Sequence, residues 1–120
     1  RFNQKPDPSV WKITGEAVVN IFSSSDLVFE GKKDSFHIIF PDKTLKEALR
    51  LVTTLFQEVS MRTGKNILYA GITSRNGRLL TPGRLFSEAD TALSKADDEE
   101  NIIALETDPD RYRDFVNNNL

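Results

Sequence analysis

Charged side chains that could do chemistry are concentrated at two places in this 120-residue sequence. In the first, Lys32 and Lys33 precede Asp34 in a predicted hairpin turn, and the second is the acidic run 97–100. Asp34 could bind a divalent cation, but a cation that also binds phosphates usually needs more than one carboxylate. The pattern therefore favours a turn carboxylate over a metal ligand. The two lysines could attract a phosphate, although an exposed pair at a hairpin tip is usually solvated.

The acidic run follows a predicted helix, and acidic side chains at a helix C-terminus oppose the helix dipole. The run could bind a cation or a basic partner, but a solvated helix end is the simpler interpretation. His37 alternates with apolar neighbours on a predicted strand, which favours a position on the more polar face of a sheet over a catalytic role. One histidine and no cysteine leave no basis for a zinc site or a disulfide.

Composition excludes several classes of protein. The chain is 38% apolar and 28% charged, as expected for one globular domain with a single core. Its net charge of −2 gives no basic excess, so we expect no nucleic-acid partner. No apolar run approaches the roughly 20 residues that span a bilayer, so we expect no membrane segment in this chain.

The elements that must position these residues can be read from periodicity and turn residues. Helical spacing covers about 10–22, and two strands, 27–29 and 36–40, form a hairpin. Thr44 with Glu47 fits a capping box for a long helix to about Met61, and Gly64 stops it. The remaining pattern predicts a strand at 67–73, a polar loop at 74–83, a helix at 84–96, a strand at 102–105 and a short helix from Asp108-Pro109. This order predicts an α/β sandwich (α+β) in which helices flank one sheet, with Trp11 between the first helix and that sheet.

Three segments resemble motifs of one family. Residues 88–97 read EADTALSKAD, similar to the ADxALYxAK segment of GGDEF domains, the bacterial domains that make cyclic di-GMP from GTP. Phe36 and the run 38–41 resemble the family's EFxxxLP strand, and residues 68–73 resemble its VSIGIA strand. Counting back from Phe36 gives KKDSF at residues 32–36, in the place of GGDEF.

The resemblance implies that most functional positions have changed. Lys32 and Lys33 replace the two glycines that let backbone approach the guanine nucleotide. The metal-binding acid survives as Asp34, whereas Ser35 replaces the second acid. Asp97 stands where the family has a lysine that meets phosphates, and the GRN that follows is missing.

The resemblance extends to the start of the chain. Residues 1–7 resemble the tail of the family's DxDxFKxIND motif, and residues 14–18 lie where GDxxL is expected. The first strand, with its metal-binding aspartate, would precede Arg1: it is either absent or part of a longer protein. Of the family's inhibitory RxxD product site, the aspartate survives as Asp26, and Ser23 replaces the arginine. We assign 1–107 to a GGDEF-like domain and 108–120 to a helix or linker.

These substitutions predict a catalytically inactive, regulatory domain of a larger bacterial cyclic di-GMP signalling protein. We expect no cofactor and a cytoplasmic location, with the cytoplasmic part of a membrane-anchored protein as an alternative. We expect other domains of the same protein as partners, with a homodimer as a further option. Two alternatives remain open. One is an active diguanylate cyclase with an atypical motif, which would require Mg²⁺, and the other is a non-catalytic receptor for GTP or cyclic di-GMP.

Overall fold

Helices and strands alternate along the chain in the order that the sequence predicts. The computed structural model describes residues 1–22, 27–31, 34–41, 43–75 and 77–105. Within these ranges lie three helices and two small sheets, an α+β arrangement. The elements are α1 (Pro8–Ile21), β1 (Leu27–Gly31), β2 (Ser35–Ile39), α2 (Leu45–Thr63), β3 (Ala70–Ile72), α3 (Pro82–Leu93) and β4 (Ile102–Ala104). The predicted terminal helix at Asp108 and the predicted break at 23–26 lie outside the described residues.

The ends of α2 confirm the predicted start at Thr44 and the predicted stop at Gly64. The Thr44 hydroxyl accepts a hydrogen bond from the backbone N–H of Glu47 at 3.2 Å. At the other end, Gly64 adopts the left-handed conformation (φ 75°) and closes the last turn through the Ser60 carbonyl. Both are expected of a helix whose terminal backbone groups need partners outside the helix.

The other two helices start earlier than predicted, because proline occupies their first turns. The Asp7 side chain accepts from Val10 N–H at 2.9 Å, so α1 begins at Pro8. Thr81 caps α3 in the same way, and that helix begins at Pro82 and ends at Leu93. Proline is favoured there because its missing N–H would have no intrahelical partner.

The strands do not form the single sheet that the sequence suggests. β1 and β2 pair antiparallel from Leu27↔Ile39 to Gly31↔Ser35, and β3 and β4 pair parallel. Outside these strands, an isolated antiparallel bridge pairs Phe2 with Leu68. β2 and β3 are too far apart to pair, since no Cα atom of β2 lies within 8 Å of one in β3. Adjacent strands would be about 4.8 Å apart.

The core lies where α1 and α2 pack together and against the sheets. Trp11 stacks on Phe36 of β2 with ring centroids 4.9 Å apart, and contacts Phe2 at 5.6 Å, which confirms its predicted place between helix and sheet. Thr14 is fully buried, and its hydroxyl donates to the Val10 carbonyl at 2.9 Å. The buried apolar cluster comprises Phe2, Ala17, Val18, Phe22, Ala48, Val52, Leu55, Val59, Ile67, Leu68 and Ile72.

On the face of β3 that points away from α2, α3 packs closely against the strand at Gly71. A Cβ added to Gly71 would overlap the Ala89 carbonyl oxygen and the backbone of Leu93. β3 is therefore covered by α2 on one side and α3 on the other. In the residues described, none of the helices combines the length and apolar character needed to cross a membrane.

Candidate functional site

The β1–β2 hairpin is closed by the pairing of Gly31 with Ser35. Asp34 closes the turn in the left-handed conformation (φ 53°), and its side chain is exposed. Its carbonyl oxygen accepts a hydrogen bond from the backbone N–H of Phe2 at 3.3 Å. Lys32 and Lys33 lie outside the described residues. Asp34 is thus positioned at an exposed tip, as expected for a turn carboxylate.

The next two motif positions point to opposite faces of β2, as successive strand residues must. Ser35 is only 6% exposed, and a Cβ added to Gly31 would come within 2.6 Å of its hydroxyl and 2.7 Å of the His37 ring. Phe36 faces the other way and stacks on Trp11. Ser35 and Phe36 are therefore packed into the fold, and His37 lies 5.6 Å from the ring of Phe86 on α3.

The acidic run does not extend α3, which corrects the sequence interpretation of an unfavourable helix end. α3 ends at Leu93, and Asp97 forms a turn of its own. One Asp97 carboxylate oxygen accepts from the backbone N–H groups of Glu99 at 2.9 Å and Glu100 at 2.8 Å. The Asp97 N–H donates to the Glu100 carbonyl at 3.0 Å. Aspartate favours such turns because its short side chain reaches nearby backbone donors.

Asp98 borders a polar groove beside β3. The Tyr69 hydroxyl donates to an Asp98 carboxylate oxygen at 2.6 Å, and this bond raises the pKa of Tyr69. The groove has a volume of about 250 Å³ and is lined by Asn3, Asn66, Leu68, Tyr69, Asp98 and Asn101. These amide, hydroxyl and carboxylate groups can exchange hydrogen bonds with a small polar molecule or with water.

The N-terminal residues connect the hairpin turn to this groove. The backbone of Phe2 contacts Asp34, and the Tyr69 N–H donates to the Arg1 carbonyl at 2.7 Å. The turn and the acidic run therefore lie at the same end of the sheets. Within the described ranges, no three histidine or carboxylate side chains cluster to form a metal site. Asp26, the residue matched to the product site, is outside those ranges.

A buried ionic cluster that the sequence analysis did not identify holds the predicted loop at 74–83. The Arg78 guanidinium binds the Glu88 carboxylate at 2.7 and 2.8 Å, and the Thr73 hydroxyl donates to Glu88 at 3.0 Å. Arg78 is 7% exposed. The hydrogen bonds from Arg78 are the largest cause of a lowered pKa at Glu88, and that from Thr73 also contributes. The sequence signal was an arginine inside a polar loop ten residues before a helical glutamate.

No protein-family model matches this chain, and no curated protein or solved structure matches it either.

Proposed function

We propose that this chain is a degenerate GGDEF-like domain without cyclase activity. It acts as a regulatory and interaction module in a larger, cytoplasmic, cyclic di-GMP signalling protein of bacteria. Its partners are other domains of that protein, or a second copy of this chain. The proposal combines the motif resemblance with the geometry of the residues that occupy the motif positions.

The observation that carries the proposal is the position of Asp97. In the family pattern a lysine at this place meets phosphate. Here the Asp97 carboxylate is turned back onto the backbone N–H groups of Glu99 and Glu100. Its charge is opposite in sign, and one of its two carboxylate oxygens accepts both of these bonds from its own turn. This arrangement supports a structural role for the segment.

Electrostatics support the same conclusion. The run 97–100 carries four carboxylates in sequence, and all four side chains are exposed. A phosphate charge about 4 Å from one carboxylate would be repelled by roughly 4 kcal/mol at an effective dielectric constant of 20. A triphosphate at this surface would need cations to offset that repulsion, and Asp34 is the one acid retained from the family's metal site.

The hairpin positions add a steric argument. Ser35, in place of an acid, is buried beside Gly31, and the Phe36 ring is stacked on Trp11.

Removing one charged group from an electrostatic catalytic site can cost about 3 kcal/mol of transition-state stabilisation. Here Lys32, Lys33, Ser35 and Asp97 all depart from the pattern together.

The direct test is a cyclase assay. The chain, alone and within any longer protein that carries it, is incubated with GTP and Mg²⁺ or Mn²⁺, and products are separated by chromatography. We expect no cyclic di-GMP above a no-enzyme control. An Asp34→Ala variant is the matched control: product that forms with the parent chain and disappears with this variant would overturn the proposal and establish an atypical cyclase.

Nucleotide binding without catalysis is tested separately. GTP with Mg²⁺ is titrated into the chain while amide NMR shifts are recorded, and cyclic di-GMP binding is measured by calorimetry. We expect no saturable shifts at 32–35 or 97–101, and no cyclic di-GMP affinity tighter than about millimolar, or −4 kcal/mol. Micromolar binding of cyclic di-GMP that Asp26→Ala abolishes would instead support a receptor.

A further inference from the structure

The polar groove beside β3 contains side-chain amides that the fold leaves available. Asn66 and Asn101 line this groove. The Asn66 carbonyl accepts a hydrogen bond from the Asn3 side chain at 3.3 Å. The Asn101 carbonyl accepts from Ala70 N–H at 2.8 Å, so backbone bonds hold both residues in place. In the part of the chain that the structure describes, neither side-chain amide has a hydrogen-bond partner. Each amide therefore presents both donors and an acceptor to a molecule in the groove.

Among the described residues that line the groove, Asp98 is the one carboxylate. One of its oxygens accepts from the Tyr69 hydroxyl at 2.6 Å, which fixes the position of the carboxylate. Since a carboxylate can accept about four hydrogen bonds, its other oxygen can bind a further donor. Leu68, which is only 6% exposed, adds an apolar surface. The groove therefore combines an oriented charge, neutral amides and an apolar wall, as binding sites for small molecules do.

The charges around the groove favour a positively charged ligand. The acidic run supplies four exposed carboxylates at this end of the groove. The hydrogen bond to Asp98 is the largest cause of the raised pKa of Tyr69, and the charges of Asp98 and Asp97 add to it. Two cations oppose these carboxylates: Arg1, whose guanidinium lies 5.8 Å from the centre of the Tyr69 ring, and Lys65 in the adjoining segment. The local balance of charge is therefore negative, which attracts cations and repels anions.

The size of the groove limits the ligand to a small molecule. Its volume of about 250 Å³ corresponds to about eight water molecules at roughly 30 Å³ each. A ligand with a similar number of non-hydrogen atoms would fill it. Such a ligand is too small to gain much affinity from apolar contact alone, so its charge and its hydrogen bonds must supply the specificity.

We propose that this groove binds a small organic cation: a primary amine that also carries a neutral hydrogen-bonding group. The ammonium group donates to the available Asp98 oxygen, and the neutral group exchanges hydrogen bonds with the side-chain amides of Asn66 and Asn101. The bond between Tyr69 and Asp98 holds the carboxylate in place for the ammonium group. This site goes beyond the proposed function, because it gives the domain a ligand whose charge is opposite to that of GTP.

A series of probes tests the sign of the charge. The probes are 5-aminopentan-1-ol, pentane-1,5-diol and 5-hydroxypentanoate, which share a carbon chain and one hydroxyl and differ in the charge at the other end. Each is titrated into the chain at neutral pH and about 0.15 M ionic strength, while NMR shifts of the Asn66 and Asn101 side-chain amides are recorded. We expect saturable shifts with the amine and a dissociation constant of about 1 mM, as its small size implies. The diol should bind at least about tenfold more weakly, and the acid should give no saturable shift.

Matched variants locate the bound ammonium group. Asp98→Asn removes the charge but keeps an oxygen that can accept from Tyr69, and we expect it to weaken binding of the amine at least about tenfold. Glu99→Gln removes a neighbouring exposed carboxylate that does not line the groove, and it should change binding less than about twofold. Asn101→Ala removes one of the two available amides and should weaken binding about threefold or more.

Several outcomes would overturn the proposal. Equal binding of the amine and the diol to the parent chain would do so without any variant, and so would unchanged binding in Asp98→Asn with native circular dichroism. Equal losses in Asp98→Asn and Glu99→Gln would show diffuse attraction to the acidic run in place of a site. N-acetyl-lysine methylamide carries the same ammonium group on a peptide. If it bound more tightly than 5-aminopentan-1-ol, the groove would belong to a lysine of a partner protein. Cyclase activity would overturn the proposed function and leave these results unaffected.

Discussion

Arg78 and Glu88 form a bidentate ion pair in which two guanidinium nitrogens lie 2.7 and 2.8 Å from the two carboxylate oxygens. Their side chains are only 8% and 13% exposed. Arg78 also donates to the carbonyls of Ser74 and Arg75 at 2.7 and 3.1 Å. Since Glu88 belongs to α3, this pair holds the loop after β3 against that helix.

Removal of one partner should destabilise the fold strongly. Arg78→Met leaves the Glu88 carboxylate with little compensation in a mostly buried position, and we expect a loss of about 3 kcal/mol in the free energy of unfolding. Urea denaturation measures this loss. The control is Arg62→Met at the exposed pair with Glu16, whose side chains are 36% and 45% exposed. That change should cost less than about 1 kcal/mol, and equal losses in the two variants would contradict the prediction.

The same pair makes stability depend on pH. Arg78 and then Thr73 lower the pKa of Glu88 in the folded state. A carboxyl with a depressed folded pKa stabilises the protein above its unfolded pKa, about 4.3 for glutamate. That stabilisation is lost as pH falls through the folded pKa. Denaturation of the parent and Glu88→Gln at pH 7 and at steps below pH 5 should give a stability difference that shrinks with acidification. A constant difference would show that Glu88 is not preferentially charged in the folded state.

Helix capping was predictable because it depends on residues close in sequence. Thr44, Glu47 and Gly64 carry local signals for the start and stop of α2, and in the structure Thr44 caps its start and Gly64 its end. The separation into two sheets was not predictable in this way. It depends on which strands lie side by side, and Phe2 and Leu68 are far apart in sequence.

In the candidate site, too, local sequence patterns predicted some features, and others depend on contacts between distant segments. Asp34 was correctly placed in the hairpin turn, because the β1–β2 pattern and Gly31 identify the turn locally. The turn made by Asp97 was mistaken for a helix end, since α3 stops at Leu93 without a glycine or proline to mark it. The Arg78–Glu88 pair requires the loop and helix to fold onto each other, which no local pattern specifies.

Gly71 should tolerate no side chain. In Gly71→Ala the added Cβ meets the backbone of α3 at Ala89 and Leu93, and backbone cannot rotate away as a side chain can. We expect a loss of at least about 2 kcal/mol from overpacking. Gly15→Ala is the control, because nothing lies within 4 Å of its Cβ position in α1. It should stabilise the chain by about 0.5–1 kcal/mol, and thermal denaturation that ranked the two variants the other way would contradict the packing described.

Phe36 should control the environment of Trp11, the only tryptophan in the sequence. Phe36→Ala removes the ring stacked at 4.9 Å and admits water to one face of the indole. We expect a loss of about 3 kcal/mol in stability and a red shift of Trp11 emission in the folded state. Val19→Ala is the control, since Val19 is 74% exposed on the same helix. An unshifted emission maximum in folded Phe36→Ala would contradict the stacking.

Asp34 should behave as a turn residue whose backbone conformation matters more than its charge. At φ 53° a residue with a Cβ pays about 1 kcal/mol that glycine does not. Asp34→Gly should therefore be at least as stable as the parent, and Asp34→Ala should be less stable than Asp34→Gly. Thermal denaturation of all three chains, with and without millimolar Mg²⁺, measures both effects. We expect Mg²⁺ to leave the Tm of each chain unchanged. A Mg²⁺-dependent rise in the parent that both variants lose would assign Asp34 to a metal site and favour the cyclase alternative.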